Sequence, residues 1–213
     1  MKVELTGYFG SDSMVVDTAR VSFAKRAEEY GEEQNAKLIR FLAEHGHTAP
    51  FRHPHLQFRV HVPIYVERQL FKHQVGWTAN SISGRYVDFS DSYDRIGIWR
   101  KQSKSSKQGS EGEIDNQTEA SRIEAEIIDR CSTAYARLLE LGVSKEQART
   151  ILPLSLNTEY IWTGSFQAFT HLCHLRLKPD AQFETRKVVG LMLCAVKDIE
   201  DEPFKHSLEA FGL

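Results

Sequence analysis

Apolar and polar positions alternate from His55 to Val62. Leu56, Phe58, Val60 and Val62 fall on one face, and His55, Gln57, Arg59 and His61 on the other. A period of two is that of a half-buried strand. Pro63 suits the first turn of a helix running to about His73, since its missing N–H needs no partner there. Val15, Val16 and Ala19 have the spacing of a short helix over 12–20. Leu38, Phe41 and Leu42 predict a helix from Glu32 to Glu44, with Gly46 just beyond its end. Ile123, Ile127, Cys131, Ala134, Tyr135 and Leu138 form the stripe of a long helix from about Gln117 to Leu141, stopped by Gly142. Ser144 with Gln147 reads as a capping box for a short helix that carries Arg149 and ends at Pro153. Residues 2–6, and then Tyr160, Ile161 and Trp162, predict short strands. Ser165 caps a helix reaching Leu177, and Asp180 caps the next one. The nearly continuous apolar run 188–196 places that last long helix, to about Ile199, in a setting buried on several sides. Residues 100–118, rich in Lys, Ser, Gln, Gly and Glu, predict a mobile surface loop. Together these elements describe a single mainly helical α+β domain over residues 1–213, with a small antiparallel sheet.

Charge narrows the function. Against 27 Lys and Arg stand 29 Asp and Glu, a net charge of −2. That balance argues against a general nucleic-acid or membrane-surface binder, so any basic site must be local. The three cysteines, Cys131, Cys173 and Cys194, lack CxxC spacing and fall in predicted helices, which points to reduced thiols. No apolar run reaches the roughly 18 residues of a membrane span. No apolar h-region follows Lys2, and the expected location is the cytoplasm.

The segment 67–86, Glu-Arg-Gln-Leu-Phe-Lys-His-Gln-Val-Gly-Trp-Thr-Ala-Asn-Ser-Ile-Ser-Gly-Arg-Tyr, concentrates the candidate chemistry. Its first half reads as a helix ending in Lys72, His73 and Gln74. Its second half reads as a turn-rich loop carrying Asn80, Ser81, Ser83 and Arg85. An anion would satisfy most of these donors. Arg85, Arg149 and Arg176 each lie beside a structural break: Gly84, Pro153 and the 178–180 turn. Guanidinium groups at element ends can converge on a phosphate, although arginines in such places are more often simply solvated. His171 and His174 have a spacing that zinc can use, but no H-E-x-x-H or second Cys/His pair accompanies them. His47, His53 and His55 lie in a loop leading to the alternating strand. Ser83-Gly84 lacks the earlier glycine of a nucleophile elbow, and neither a G-x-G-x-x-G fingerprint nor a P-loop occurs.

Taken in order, these segments resemble the flavin-dependent thymidylate synthases, the ThyX family. Arg68-Gln69 with Phe71 to Gln74, then Asn80 to Tyr86 ending in Ser-Gly-Arg-Tyr, resembles the family signature. Gly46-His47-Thr48-Ala49-Pro50-Phe51, Ala148-Arg149-Thr150-Ile151-Leu152-Pro153, and His171 through Arg176 with Asp180-Ala181-Gln182 and Glu184 are similar to three further family blocks. The resemblance runs from about Thr18 to Phe211. It implies conversion of dUMP and methylenetetrahydrofolate to dTMP and tetrahydrofolate. The hydride would come from FAD reduced by NADPH or NADH. It also implies a homotetramer with active sites shared between subunits.

By the same resemblance, Gln69, Ser83, Gly84, Arg85, Arg149 and Arg176 hold dUMP, with Arg176 and Ser83 the catalytic candidates. Arg176 stabilises charge developing on the uracil ring. Lys72, His73, Gln74, Asn80 and His171 fall on the FAD site, and His47 on the folate and nicotinamide region. Cys194, in its apolar run, is expected to be buried and unreactive, which favours chemistry without an enzyme thiolate.

The chain departs from the family pattern at several positions. Its triplet is Lys-His-Gln rather than Arg-His-Arg, and its spacing to Ser83 is one residue longer. Ser81 stands where family members often carry a glutamate, and Ala49 and Arg52 replace a threonine and a glutamate. The alternative from a different class is a non-catalytic nucleotide-binding regulatory protein on the same fold. A zinc hydrolase built on His171 and His174 is a third.

Overall fold

The computed structural model describes residues 1–88, 92–105, 107 and 109–213. They gather into two compact units. One contains Met1, 61–71 and 81–160; the other contains 2–60, 72–80 and 161–213. The strands are β1 (Lys2–Phe9), β2 (His55–Pro63), β3 (Trp77–Ser81), β4 (Arg100–Gln102), β5 (Ser110–Glu113) and β6 (Asn157–Ser165). The helices are α1 (Asp12–Arg20), α2 (Glu32–Glu44), α3 (Ile64–Leu70), α4 (Gln117–Glu140), α5 (Lys145–Ala148), α6 (Phe166–Arg176), α7 (Phe183–Lys197) and α8 (Lys205–Ala210). Four strands form a small sheet in the order β1-β2-β6-β3, and β4 and β5 make a separate antiparallel pair.

In the first unit, Val62, Val66, Leu70, Ile128, Tyr135, Ala148, Leu156 and Tyr160 are buried. Backbone bonds from Ile64 N to Leu156 O (2.9 Å) and Tyr65 N to Leu154 O (3.1 Å) tie the start of α3 to the chain entering β6. In the second unit, α7 packs on β1 and α2 against α8. Its core includes Ile39, Phe51, Leu56, Phe58, Phe166, Phe169, Leu172, Val188, Met192 and Phe204. Ser165 caps α6 as expected, its hydroxyl accepting from Ala168 N. The alternation over β2 also holds: Leu56, Phe58, Val60 and Val62 are fully buried.

Glycine decides one close approach. A Cβ on Gly164 would lie 2.3 Å from the Trp77 ring, which stacks on Trp162 with centroids 4.0 Å apart. Only a residue without a side chain lets that ring lie flat there. Just upstream, Gly76 takes φ +76°, and its carbonyl accepts from Ser165 N at 3.0 Å.

The structure differs from the pattern-based expectation at several elements. β1 extends to Phe9, and β6 covers Asn157–Ser165, more than the stretch around Tyr160. α3 stops at Leu70, short of His73, with Pro63 as its N-cap. The supposed turn-rich loop contains β3, which apolar periodicity could not reveal because its side chains are mostly exposed polar groups. The buried stripe of α4 holds Ile128 and Tyr135, whereas Ile123 and Ile127 are half exposed. Phe41 on α2 is likewise 49% exposed, and Ile39 is buried instead. Ser144 is the N-cap of α5 but makes no side-chain cap bond, so no capping box forms. Gln182, not Asp180, caps α7. That helix ends at Lys197, and the short α8 beyond it had no signal of its own. α7 buries Val188, Val189, Met192 and Val196 on one face only. Cys194 is exposed, and Cys173 is the buried thiol, pushed up to about 12 by burial.

Within the segment expected to be a mobile loop, residues 106 and 108 lie outside the described residues. Around them β4 and β5 pair with an irregularity between Arg100 and Lys101. Polar side chains carry the ribbon: Arg100 Nε donates to Ser110 Oγ at 2.8 Å and Ser103 Oγ to Glu111 Oε2 at 2.9 Å.

Gly164→Ala is expected to destabilise the protein by about 1–3 kcal/mol, because the added methyl must push the Trp77 ring off its stack. Chemical denaturation measures this; an unchanged midpoint would mean the ring moves aside without cost.

Candidate functional site

The first unit carries one cluster of expected site residues. Gln69 sits half-buried on α3. The chain leaves β3 with Ile82 N donating to Glu159 O at 2.8 Å, then turns through Ser83, buried Gly84 and exposed Arg85. Ser83 O accepts from Tyr86 N (2.9 Å) and Val87 N (3.1 Å), closing the turn. Ser83 Oγ accepts from both Arg85 N and Arg85 Nε, each at 3.3 Å. With its lone pairs so engaged, the hydroxyl is left to donate its proton outward, as an anion binder does. Arg85 also lies over the exposed Tyr86 ring, 5.3 Å from its centroid.

Lys145 joins this turn to the segment bearing Arg149. Its Nζ is 2.9 Å from Asp88 Oδ1 and 3.5 Å from Tyr86 O. Arg149 follows α5 directly, exposed, with Nε donating to Glu146 O at 3.3 Å. Lys145 therefore links the turn that carries Arg85 to the segment that carries Arg149, and the sequence reading missed it. Its one signal is an i, i+4 spacing to Arg149 across a helix too short to show periodicity. In the same unit, Glu67 on α3 accepts from Ser81 Oγ at 3.3 Å. Burial raises the Glu67 carboxyl above its ordinary range, with the Ser81 bond opposing the rise. Burial and the Glu67 charge also push the Tyr160 phenol up.

The second unit carries the other cluster. Arg176, at the end of α6, donates from Nε to His73 Nε2 at 2.8 Å. His171, one turn earlier, meets His73 edge-on with ring centroids 6.3 Å apart. His73 falls from its ordinary 6.5 to about 4, first through burial, then through the charges of Arg176 and His171. It is thus a neutral acceptor that aims the arginine. Lys72, Gln74 and Asn80 are exposed. His47 is exposed and stacks on Phe41 (5.9 Å), which also stacks on His45 (4.1 Å). His174 turns elsewhere, its Nε2 2.7 Å from Phe211 O. Among the described residues, no group of three His, Cys, Asp or Glu is placed to hold a metal, and no helix is long and apolar enough to cross a membrane. An open depression of about 530 Å³ lined by Asp17, Lys25 and Arg26, among others, includes none of the expected site residues.

The family model described as thymidylate synthase complementing protein matches residues 4–200. A flavin-dependent thymidylate synthase of Thermus thermophilus is 37% identical over 196 residues, covering 92% of this chain and 71% of the relative. One of Kosmotoga olearia is 38% identical over 187 residues, 87% of this chain and 80% of that one. Among solved structures, the UMP/dUMP methylase PolB from Streptomyces cacaoi, bound with 5-Br dUMP, superposes with a TM-score of 0.88 at 28% identity, over 99% of this chain and 94% of PolB. The fold and these matches define a methyltransferase enzyme. The chain belongs to the flavin-dependent thymidylate synthase family.

An NMR titration should find His73 changing charge near pH 4, and Arg176→Ala should raise that value while leaving it below 6.5, since burial is the larger cause. Because the unfolded chain takes up this proton first, His73 makes stability fall as pH drops from about 6.5 through about 4. A His73 titration near 6.5 in the folded protein would contradict the Arg176 contact.

Proposed function

We propose that this enzyme converts dUMP to dTMP, taking the carbon from methylenetetrahydrofolate and reducing equivalents from NADPH or NADH by way of FAD. The observation that carries the reading is the Ser83–Gly84–Arg85 turn, tethered through Lys145 to the Arg149 segment. It offers a hydroxyl donor, two guanidinium groups and an ammonium to a nucleotide phosphate. Gln69 supplies an amide for the base or sugar. Arg176, aimed by neutral His73, keeps its terminal nitrogens for charge that develops on the uracil ring.

The donor set of the second unit fits a flavin dinucleotide. Lys72 and Gln74, the chain neighbours of His73, and Asn80 on β3 are exposed polar groups suited to a diphosphate and its neighbours. His171, edge-on to His73, lies in the same cluster. FAD, when bound, supplies the hydride chemistry; the protein binds, orients and shields. His47, on its aromatic stack with Phe41, suits the folate or nicotinamide ring. No thiol enters: Cys173 is buried and held protonated, and neither Cys131 nor Cys194 falls in the arginine-bearing motifs. In the homotetramer that we infer, active sites draw on more than one subunit.

A second reading, nucleotide binding without catalysis, draws on Lys72 and Gln74, which offer no bidentate contact where the family motif has arginines. Anaerobic incubation with dUMP, methylenetetrahydrofolate, FAD and NADPH or NADH separates the two. We expect dTMP; a folded protein that makes none with either reductant would refute the catalytic reading. Arg85→Ala and Arg149→Ala should each weaken dUMP binding by about 1.5–3 kcal/mol in calorimetry, as loss of a charged hydrogen bond does. Unchanged affinity would remove that arginine from the phosphate site.

A further inference from the structure

Glu67 is a half-buried carboxylate on α3, and nothing in the proposed reaction uses it. It lies two residues before Gln69 on α3, and its one described hydrogen bond reaches Ser81, two residues before Ser83. The Glu67–Ser81 bond thus ties together the two chain segments that present the nucleotide-binding Gln69 and Ser83. The bond is made across 14 positions of sequence, so it is folding that brings the carboxylate of α3 to the end of β3.

We propose that Glu67 is a positioning residue of the nucleotide site, holding the end of β3 at Ser81, and with it the turn at Ser83, against α3. The inference rests on the dUMP-methylating reading above. Three further observations fit it. Ile82 N is held by Glu159 O at 2.8 Å, so a backbone bond anchors the chain just past β3, and the Ser81 side chain adds an anchor through Glu67. Tyr160, the neighbour of Glu159 on β6, feels the Glu67 charge. Its ring meets Phe71 edge-on at 4.9 Å, and Glu67 itself is half-buried.

The test compares dUMP affinity by calorimetry, kcat and KM for dUMP, and melting temperature. Glu67→Ala should weaken dUMP binding and raise its KM about tenfold while changing kcat less than threefold. Ser81→Ala should do the same. Glu67→Gln keeps an oxygen that accepts from Ser81 and should stay within about threefold of the parent. Glu67→Ala combined with Ser81→Ala should cost no more than either change alone, because both remove the same bond. A merely structural role would lower the melting temperature without this split between KM and kcat. Parental dUMP affinity in Glu67→Ala, a loss in Glu67→Gln as large as in Glu67→Ala, or additive losses in the combined variant would each overturn the inference. If Glu67→Ala fails to fold, the Ser81→Ala and Glu67→Gln results decide. Should the parent enzyme neither bind dUMP nor form dTMP, the underlying reading fails and the inference with it.

Discussion

The face of Trp77 rests where Gly164 has no side chain, and much of the site chemistry is set out from that contact. With its ring stacked on Trp162, Trp77 fixes the first residue of β3 against β6. Gly76 just before it takes a conformation that few other residues tolerate, and its carbonyl is held by Ser165, the cap of α6. The chain before this anchor carries His73, which meets Arg176 at the far end of the same helix. The chain after it runs along β3 to Ser81 and into the turn at Ser83. A tightly packed aromatic thereby sets the starting point of two polar segments that have little apolar content of their own.

The charges follow a consistent pattern. The three arginines of interest are each oriented by a neutral partner: Arg176 by His73, Arg85 by Ser83 and Arg149 by a backbone carbonyl. A carboxylate in any of these places would cancel the arginine's positive potential. Lys145 differs, since it pairs with Asp88. Elsewhere, on the outer face of α4, Arg122 and Arg137 are paired with glutamates one turn away, a solvated arrangement of small energetic weight. The near-neutral total charge hides this division of labour.

How much of this could be read from the sequence depended on whether a signal is local. The period of β2, the extent of α1 and α2 and the Ser165 cap are local and were legible. The family motifs, again local strings, led to Arg85, Arg149 and Arg176 and to the family that the comparisons identify. The stripes of α2 and α4 misled because each helix also carries apolar residues on its exposed side: Phe41, Ile123 and Ile127. β3 escaped notice because an exposed polar strand has no apolar rhythm, and α8 because six residues are too few to show one. Lys145 and Glu67 were invisible for a different reason. Their partners, Tyr86 and Asp88 for one and Ser81 for the other, are distant in sequence and come near only through folding.

The β4–β5 ribbon has a further consequence. Many of its described bonds close on itself, as in Gln102 Nε2 to Lys107 O and Gly109 O, while at its base Gln117 grips both strands of the stalk through Trp99 and Ile114. A segment whose described bonds fall largely within itself, with a clamp at its root, is separable from the body of the fold. It can lengthen, shorten or be exchanged over evolutionary time with little cost to the core, provided the glutamine clamp is kept. In that respect the ribbon is a place where this enzyme could acquire a new attachment while the nucleotide chemistry stays untouched.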